Sequence, residues 1–203
     1  MRGKTLLSIV VLTGLLLAQA CTGTKLINPW KDAAYQGHMS RMFVIGIVKD
    51  RGPRSLLENE FVRKLKERGI YAVASTALFP SEEVPPREDV RAKVRELGVD
   101  AVLVVKFIKK ETGDTYTPMR NYAVPQNIIM SWDELFGVPD YNAQDLSYDY
   151  KVVTMQTTLF SVETGKPVWS SLSETRYEGG LIRQIKPFVS VIIGVLQEQK
   201  FIR

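Results

Sequence analysis

Residues 42–48 read MFVIGIV, a continuous apolar run rich in β-branched side chains. Such a run is typical of a strand that is buried on both faces of a sheet. Two more apolar runs follow, IYAVAS at 70–75 and AVLVV at 101–105, and the last continues to Phe107. A segment with helical periodicity separates each run from the next. Because strands that alternate with single helices pair in parallel through right-handed crossovers, the sequence predicts a β-α-β-α-β core.

Both intervening segments carry signals for the start and the end of a helix. In the first, Ser55 and Glu58 have the spacing of a capping box, in which each side chain bonds the other residue's backbone N–H. Gly69 then supplies a C-terminal stop. In the second, the prolines at 85–86 precede an acidic first turn, and Gly98 ends the helix.

The C-terminal part of the chain has a different pattern. Tyr148–Phe160 and Pro167–Tyr177 are strand-like and are joined by the turn ETGK at 163–166, which predicts a β-hairpin with Trp169 facing inward. An amphipathic helix follows Gly180. We therefore predict an α/β fold, a three-layer sandwich whose parallel core is extended by an antiparallel hairpin and a C-terminal helix. The predicted domain spans 42–203 as a single unit.

Residues 112–147 form an irregular insertion in this domain. Three prolines interrupt the segment, and it has no helical period of any length. Long irregular insertions in compact domains are uncommon and often functional. Its aromatic residues are predicted to bind a partner: Tyr116, Tyr122, Trp132, Phe136 and Tyr141. The alternative interpretation is that these rings close one edge of the domain's own core.

The first 20 residues are organised as a secretory signal peptide, with Arg2 and Lys4 before an apolar run at 6–17. Twelve helical residues cover roughly 18 Å, which is less than the ~30 Å of a bilayer core, so an uncleaved span is disfavoured. Small residues then precede Cys21, the only cysteine. This arrangement resembles the lipobox of bacterial lipoproteins.

The lipobox resemblance implies cleavage before Cys21 and acylation of its thiol and new amino group, with palmitate among the acyl chains. The membrane is therefore a predicted partner through the lipid on Cys21. Thr22, rather than Asp, after the cysteine implies the periplasmic side of the outer membrane if the cell is Gram-negative. Residues 21–41 are polar and are predicted to be a tether.

Composition narrows the classes of partner. Loss of residues 1–20 removes Arg2 and Lys4 and no acidic residue, which lowers the net charge from +5 to +3. This small, mixed charge does not indicate nucleic acid, and we predict no such partner. Because Cys21 has no second cysteine to pair with, stability must come from the hydrophobic core.

Residues able to carry catalysis are few. His38 is the only histidine, and the motifs HExxH, GxSxG and GxxxxGK[ST] are absent. The sequence therefore predicts no catalytic residue, no metal and no cofactor. One alternative remains open, a carboxylate- or metal-dependent hydrolase that uses acidic residues of the insertion: Asp133, Glu134, Asp140 and Asp145.

The loop after the first predicted strand is basic, with Lys49, Arg51 and Arg54 ahead of a helix. Ligands of open α/β sheets often bind beyond the carboxyl ends of strands, and helix N-termini favour anions. These three residues are the candidates for an anion site. The segment lacks a phosphate-cradling glycine pattern, which favours a solvated basic loop.

Several segments together resemble envelope lipoproteins with a TolB-N-terminal-like or CsgG-like α/β domain. They are Phe43–Val48, the helix phrase Phe61–Gly69, the phrase GVDAVL at 98–103 and the hairpin at 159–169. The resemblance implies a non-catalytic, lipid-anchored periplasmic binding or scaffold protein of an envelope assembly, with an envelope protein as partner and a homo-oligomer left open. An alternative is a CsgG-like secretion pore component, against which the three prolines of the insertion argue.

Overall fold

A computed structural model describes residues 23–48, 50–79, 81, 83–112, 131, 132, 136, 150–176 and 181–203. The strands in these ranges are β1 (Thr24–Lys31), β2 (Arg41–Ile47), β3 (Tyr71–Ala74), β4 (Ala101–Thr112), β5 (Tyr150–Ser161) and β6 (Pro167–Arg176). The helices are α1 (Arg51–Lys66), α2 (Ser75–Leu78), α3 (Arg87–Leu97) and α4 (Leu181–Glu198). None of the helices in the described ranges has the length and apolar character needed to cross a membrane.

The described strands form one mixed sheet in the order β1-β6-β5-β4-β2-β3. Strand β2 pairs in parallel with β3 and with β4. The pairs β4–β5, β5–β6 and β6–β1 are antiparallel. The predicted α/β class, with a parallel core extended by an antiparallel hairpin, is confirmed.

Both faces of the sheet carry a hydrophobic core, as the unbroken apolar pattern of β2 predicts. Met42 and Val44 join the first core, to which α1 and α4 contribute Phe61 and Phe188. Phe43, Ile45 and Ile47 alternate with these residues along β2 and join the second core, which α3 covers. Two cores on opposite faces of one sheet give the predicted three layers.

Trp169 is fully buried in the first core, so its predicted inward register is confirmed. It lies in β6 opposite Leu159 of β5, and the turn between these strands places Gly165 at φ +66°. Left-handed backbone of this kind favours glycine. The predicted helix stops are confirmed as well, with Gly69 at φ +74° and Gly98 at φ +56°.

The structure corrects the predicted tether and the predicted capping box. Thr24–Lys31 is not tether but strand β1, which pairs with β6 at the edge of the sheet. Helix α1 begins at Arg51 rather than at Ser55. Pro53 is tolerated in its first turn because the backbone N–H groups of that turn have no partner within the helix, so the proline removes no intrahelical hydrogen bond. Glu58 therefore lies in the middle of the helix and cannot cap its start.

Candidate functional site

Glu58 connects the elements around the carboxyl end of β2, where the predicted anion loop begins. Its side chain is fully buried, and one carboxylate oxygen accepts hydrogen bonds from the backbone N–H of Gly46 (2.8 Å) and the hydroxyl of Ser75 (2.6 Å). The other oxygen accepts from the backbone N–H and the hydroxyl of Thr76, both at 2.8 Å. Helix α1 is thereby fastened to the end of β2 and to the start of α2.

Gly46 is the point of close approach between β2 and α1. A Cβ added there would lie 3.2 Å from Cγ of Arg54 and 3.6 Å from a carboxylate oxygen of Glu58. A glycine inside a strand often marks such an approach. The single glycine in MFVIGIV thus makes room for the buried charged residues of the helix.

The structure places two of the three anion-site candidates against the backbone of the 75–81 region. Arg54 is fully buried, and its guanidinium donates to the carbonyl oxygen of Ser81 at 3.1 Å. Arg51 is partly buried and donates to the carbonyl oxygen of Thr76 at 3.4 Å. Lys49 lies outside the described residues. Anion binding at this loop stays a prediction, and both described guanidiniums already contact carbonyl groups.

Two of the aromatic candidates from the insertion pack onto the second core. The ring of Trp132 meets that of Phe160 edge to face at a centroid distance of 5.4 Å, and it meets Phe136 at 4.9 Å. Both Trp132 and Phe136 are partly buried. Trp132 and Phe136 therefore make the kind of contact that the alternative interpretation of the insertion expects, in which its aromatic rings close the domain's own core.

The remaining candidates of the insertion lie outside the described residues. They are the tyrosines Tyr116, Tyr122 and Tyr141 and the acidic residues Asp133, Glu134, Asp140 and Asp145. Within the part of the chain that the structure describes, no three metal-ligating side chains gather into a group that could hold an ion. His38 is exposed, as expected of a loop residue.

A groove of about 160 Å³ opens beside Trp132, between α3 and the β5–β6 turn. We call it the α3 groove; its lining residues are Arg91, Val94, Arg95, Val102, Trp132, Phe160, Ser161, Val162 and Gly165. Val94, Val102 and Phe160 are all at least nine-tenths buried and form an apolar floor. The α3 groove therefore offers apolar surface at its base.

The charged side chains among the described residues that line the α3 groove are two arginines. Arg91 contacts Glu88 one turn earlier at 3.4 Å, whereas Arg95 is exposed and forms no ion pair with any residue that the structure describes. The indole nitrogen of Trp132 is buried without a hydrogen-bond partner. A buried donor without an acceptor costs about 1–3 kcal/mol. Because this nitrogen has almost no accessible surface, a ligand in the groove does not reach it.

Sequence reasoning did not find the α3 groove, although it found the elements that build it. The second predicted helix contains Val94, and the predicted hairpin turn contains Gly165. What brings them together is the antiparallel pairing of β4 with β5, in which Val102 lies opposite Phe160. No local pattern encodes this pairing.

The fold and the groove define the class: an open, mixed α/β sheet with helices on both faces and a small cationic groove on one of them. No protein-family model matches the chain, and neither does any curated protein. One similar solved structure is the PelC dodecamer from Paraburkholderia phytofirmans, at 13% identity and a TM-score of 0.47, covering 85% of this chain and 95% of that one. Another is lipoprotein GNA1162 from Neisseria meningitidis, at 14% identity and a TM-score of 0.42, covering 78% and 99%. The resemblance to TolB-N-terminal-like and CsgG-like domains stays a prediction.

Proposed function

We propose that this chain is a lipid-anchored, non-catalytic binding domain of a bacterial envelope assembly, held at the periplasmic side of the outer membrane through acylated Cys21. The α3 groove is the observation that carries the binding role. It combines an apolar floor with an exposed cation, Arg95. A solvent-facing site of this composition is suited to recognition, because apolar area supplies affinity and a few polar groups supply orientation.

The sheet supports this role by holding the groove rigid. The floor residues belong to the second core, and Val102 and Phe160 face each other in a hydrogen-bonded pair of strands. Helix α3 is fixed at its C-terminal end by Arg41, whose guanidinium donates to the carbonyl oxygens of Leu97 and Gly98. A preorganised site loses little entropy when a partner binds.

The hydrolase and secretion-pore alternatives have no support of this kind. The acidic residues that would carry hydrolysis, Asp133, Glu134, Asp140 and Asp145, lie outside the described residues. The pore alternative depends on the insertion at 112–147, most of which lies outside them as well. We propose binding because it is the function for which the described residues form a site.

The anchoring half of the proposal is tested by replacing Cys21. We expect Cys21→Ser to release the protein from washed membranes in soluble form, because the thiol is the attachment point for the lipid. A Thr22→Asp variant is the matched control: it keeps the thiol and is expected to remain membrane-bound but to leave the outer-membrane fraction. Retention of Cys21→Ser on membranes would contradict the anchoring.

The binding half is tested by crosslinking in cells and recovery of the lipidated protein from solubilised membranes. We expect the parent to recover an envelope protein and Arg95→Glu to lose it, while circular dichroism shows both proteins folded. Lys93→Glu is the control, because Lys93 lies on the same helix but does not line the groove. Equal recovery by all three proteins would place the binding surface elsewhere.

A further inference from the structure

We infer that one end of the sheet lies against the bilayer, where Lys25 and Arg176 contact the headgroups of anionic phospholipids. We call this surface the basal end; it consists of the sheet positions 23–25, 109–111, 152–154 and 174–176, which strand register places side by side. The inference rests on the proposed anchoring at Cys21 and deepens it by naming the surface that meets the membrane. The position of the anchor and the exposed charge of the basal end carry it.

The anchor is close to the basal end because a single residue separates Cys21 from Gly23. An extended chain spans at most ~3.6 Å per residue, so the Cα atoms of Cys21 and Gly23 lie within about 7 Å of each other. The carbonyl oxygen of Gly23 accepts a hydrogen bond from the backbone N–H of Arg176 at 2.8 Å, which fixes Gly23 to the end of β6. Since the headgroup layer of one leaflet is about 5–8 Å thick, acyl chains on Cys21 hold Gly23 at the level of the headgroups.

The basal end presents positive charge to that layer. Lys25 and Arg176 are exposed, and neither forms an ion pair with another residue that the structure describes. Basic groups within a Debye length of an anionic bilayer, about 8 Å at physiological salt, are attracted to it. The described positions of the basal end carry four basic residues and two acidic ones: Lys25, Lys109, Lys110, Arg176, Glu111 and Glu174.

This orientation holds the α3 groove away from the membrane. Strand β6 has 10 residues and runs from the β5–β6 turn to Arg176. At about 3.3 Å per residue, the turn is roughly 30 Å from the basal end. Gly165 of this turn lines the α3 groove. The groove is therefore at the end of the sheet opposite the lipid, where a partner reaches it without crossing the headgroup layer.

The first test maps lysine accessibility on the lipidated protein after it has inserted from outside into preformed vesicles. A water-soluble acetylating ester is the probe, and mass spectrometry gives the rate of modification at each lysine. We expect Lys25 to react at least about fivefold more slowly in vesicles of phosphatidylcholine with phosphatidylglycerol than in detergent, and high salt to restore most of the rate. Lys166 is the control, because it is exposed in the β5–β6 turn and should react at the same rate throughout.

Three results of this experiment would overturn the inference. If Lys25 reacts equally fast in vesicles and in detergent, the basal end does not meet the bilayer. If Lys166 is protected as strongly as Lys25, the domain lies in another orientation. If pure phosphatidylcholine protects Lys25 as well as the anionic mixture does, the contact does not depend on anionic headgroups.

The second test removes the charges in the Cys21→Ser background, so that no lipid contributes to binding. Sedimentation with phosphatidylglycerol-containing vesicles measures the affinity. We expect the Lys25→Gln/Arg176→Gln double variant to bind about tenfold more weakly or less, and circular dichroism to show it folded. The matched double variant Lys93→Gln/Lys166→Gln loses the same net charge from positions outside the basal end and should bind like its parent. Equal binding by the two double variants would contradict the assigned surface.

The outcome is separable from that of the proposed function. The mass spectra of the first test also show whether Cys21 is acylated. If Cys21 is acylated and Lys25 is not protected, this inference is wrong and the proposed anchoring stands. If Cys21 carries no lipid while the charge variants still lose vesicle binding, the anchoring is wrong and the headgroup-binding surface stands.

Discussion

The carboxylate of Glu58 accepts two hydrogen bonds from Thr76, one from its backbone N–H and one from its hydroxyl, across 18 residues of sequence. Thr76 lies in the first turn of α2, where backbone N–H groups have no partner within the helix. The residue at the N-cap position, Ala74, has no side chain able to supply one. Glu58 thus caps α2 from a different helix, and it joins α1, α2 and β2 in one buried contact.

Glu58→Gln should destabilise the fold by about 3 kcal/mol, because the amide group turns a donor toward donors that are buried with it. Denaturant unfolding measures the change. Glu67→Gln makes the same substitution near the end of α1 in an exposed ion pair with Arg63, and we expect it to cost less than about 1 kcal/mol. Equal losses in the two variants would show that the Glu58 contact contributes nothing beyond an ordinary surface charge.

Trp169→Ala should cost about 3–5 kcal/mol, since it removes the largest fully buried side chain of the first core and leaves a cavity. Trp30→Ala is the matched control: Trp30 lies on the edge strand β1 and is only partly buried, so a clearly smaller loss is expected. Thermal melts of both variants decide the matter. A Trp169→Ala protein that melts within a degree or two of the parent would contradict the buried register.

Replacing glycine by alanine should destabilise the fold at Gly98 and stabilise it at Gly194. Gly98 ends α3 at φ +56°, with open space where a Cβ would lie, so Gly98→Ala should cost about 1–2 kcal/mol through backbone strain alone. Gly194 lies within α4, also beside open space, and Gly194→Ala should stabilise by about 0.5–1 kcal/mol. If the unfolding midpoints of the two variants move in the same direction, either the left-handed conformation of Gly98 or the helical conformation of Gly194 is wrong.

Glu60 should make stability depend on pH in the acid range. Hydrogen bonding from Arg63 lowers the pKa of Glu60, so its contribution is present above the unfolded pKa of about 4.3 and is lost as the pH falls through the lower, folded pKa. Glu60→Gln should be less stable than the parent at pH 7 and converge with it below about pH 4. Arg63→Gln, which removes the donor, should show the same convergence. A gap between parent and Glu60→Gln that stays constant down to pH 3 would rule out this linkage.

Strand β1 shows why one element escaped prediction from the sequence. Its segment contains Pro29, and Asn28 has a positive φ of 47° at an irregularity in the register with β6. Prolines and bulges are tolerated at a sheet edge, where a strand needs hydrogen bonds on one side only. The local pattern therefore favoured a tether, and only the partner strand made the segment part of the sheet.

The sequence by itself determined the elements whose signals are local. The apolar run at 42–48 specified a doubly buried strand, the glycines at 69 and 98 specified two helix ends, and the ETGK turn specified the hairpin, because each depends on residues a few positions apart. Tertiary structure alone decided the role of Glu58, whose partners are 12 to 18 residues away. It alone decided the α3 groove as well, since helix α3, Trp132 and Phe160 meet only when β4 pairs with β5. Side-chain burial and hydrogen bonding across a sheet depend on which strands become neighbours, and no periodicity within one segment carries that information.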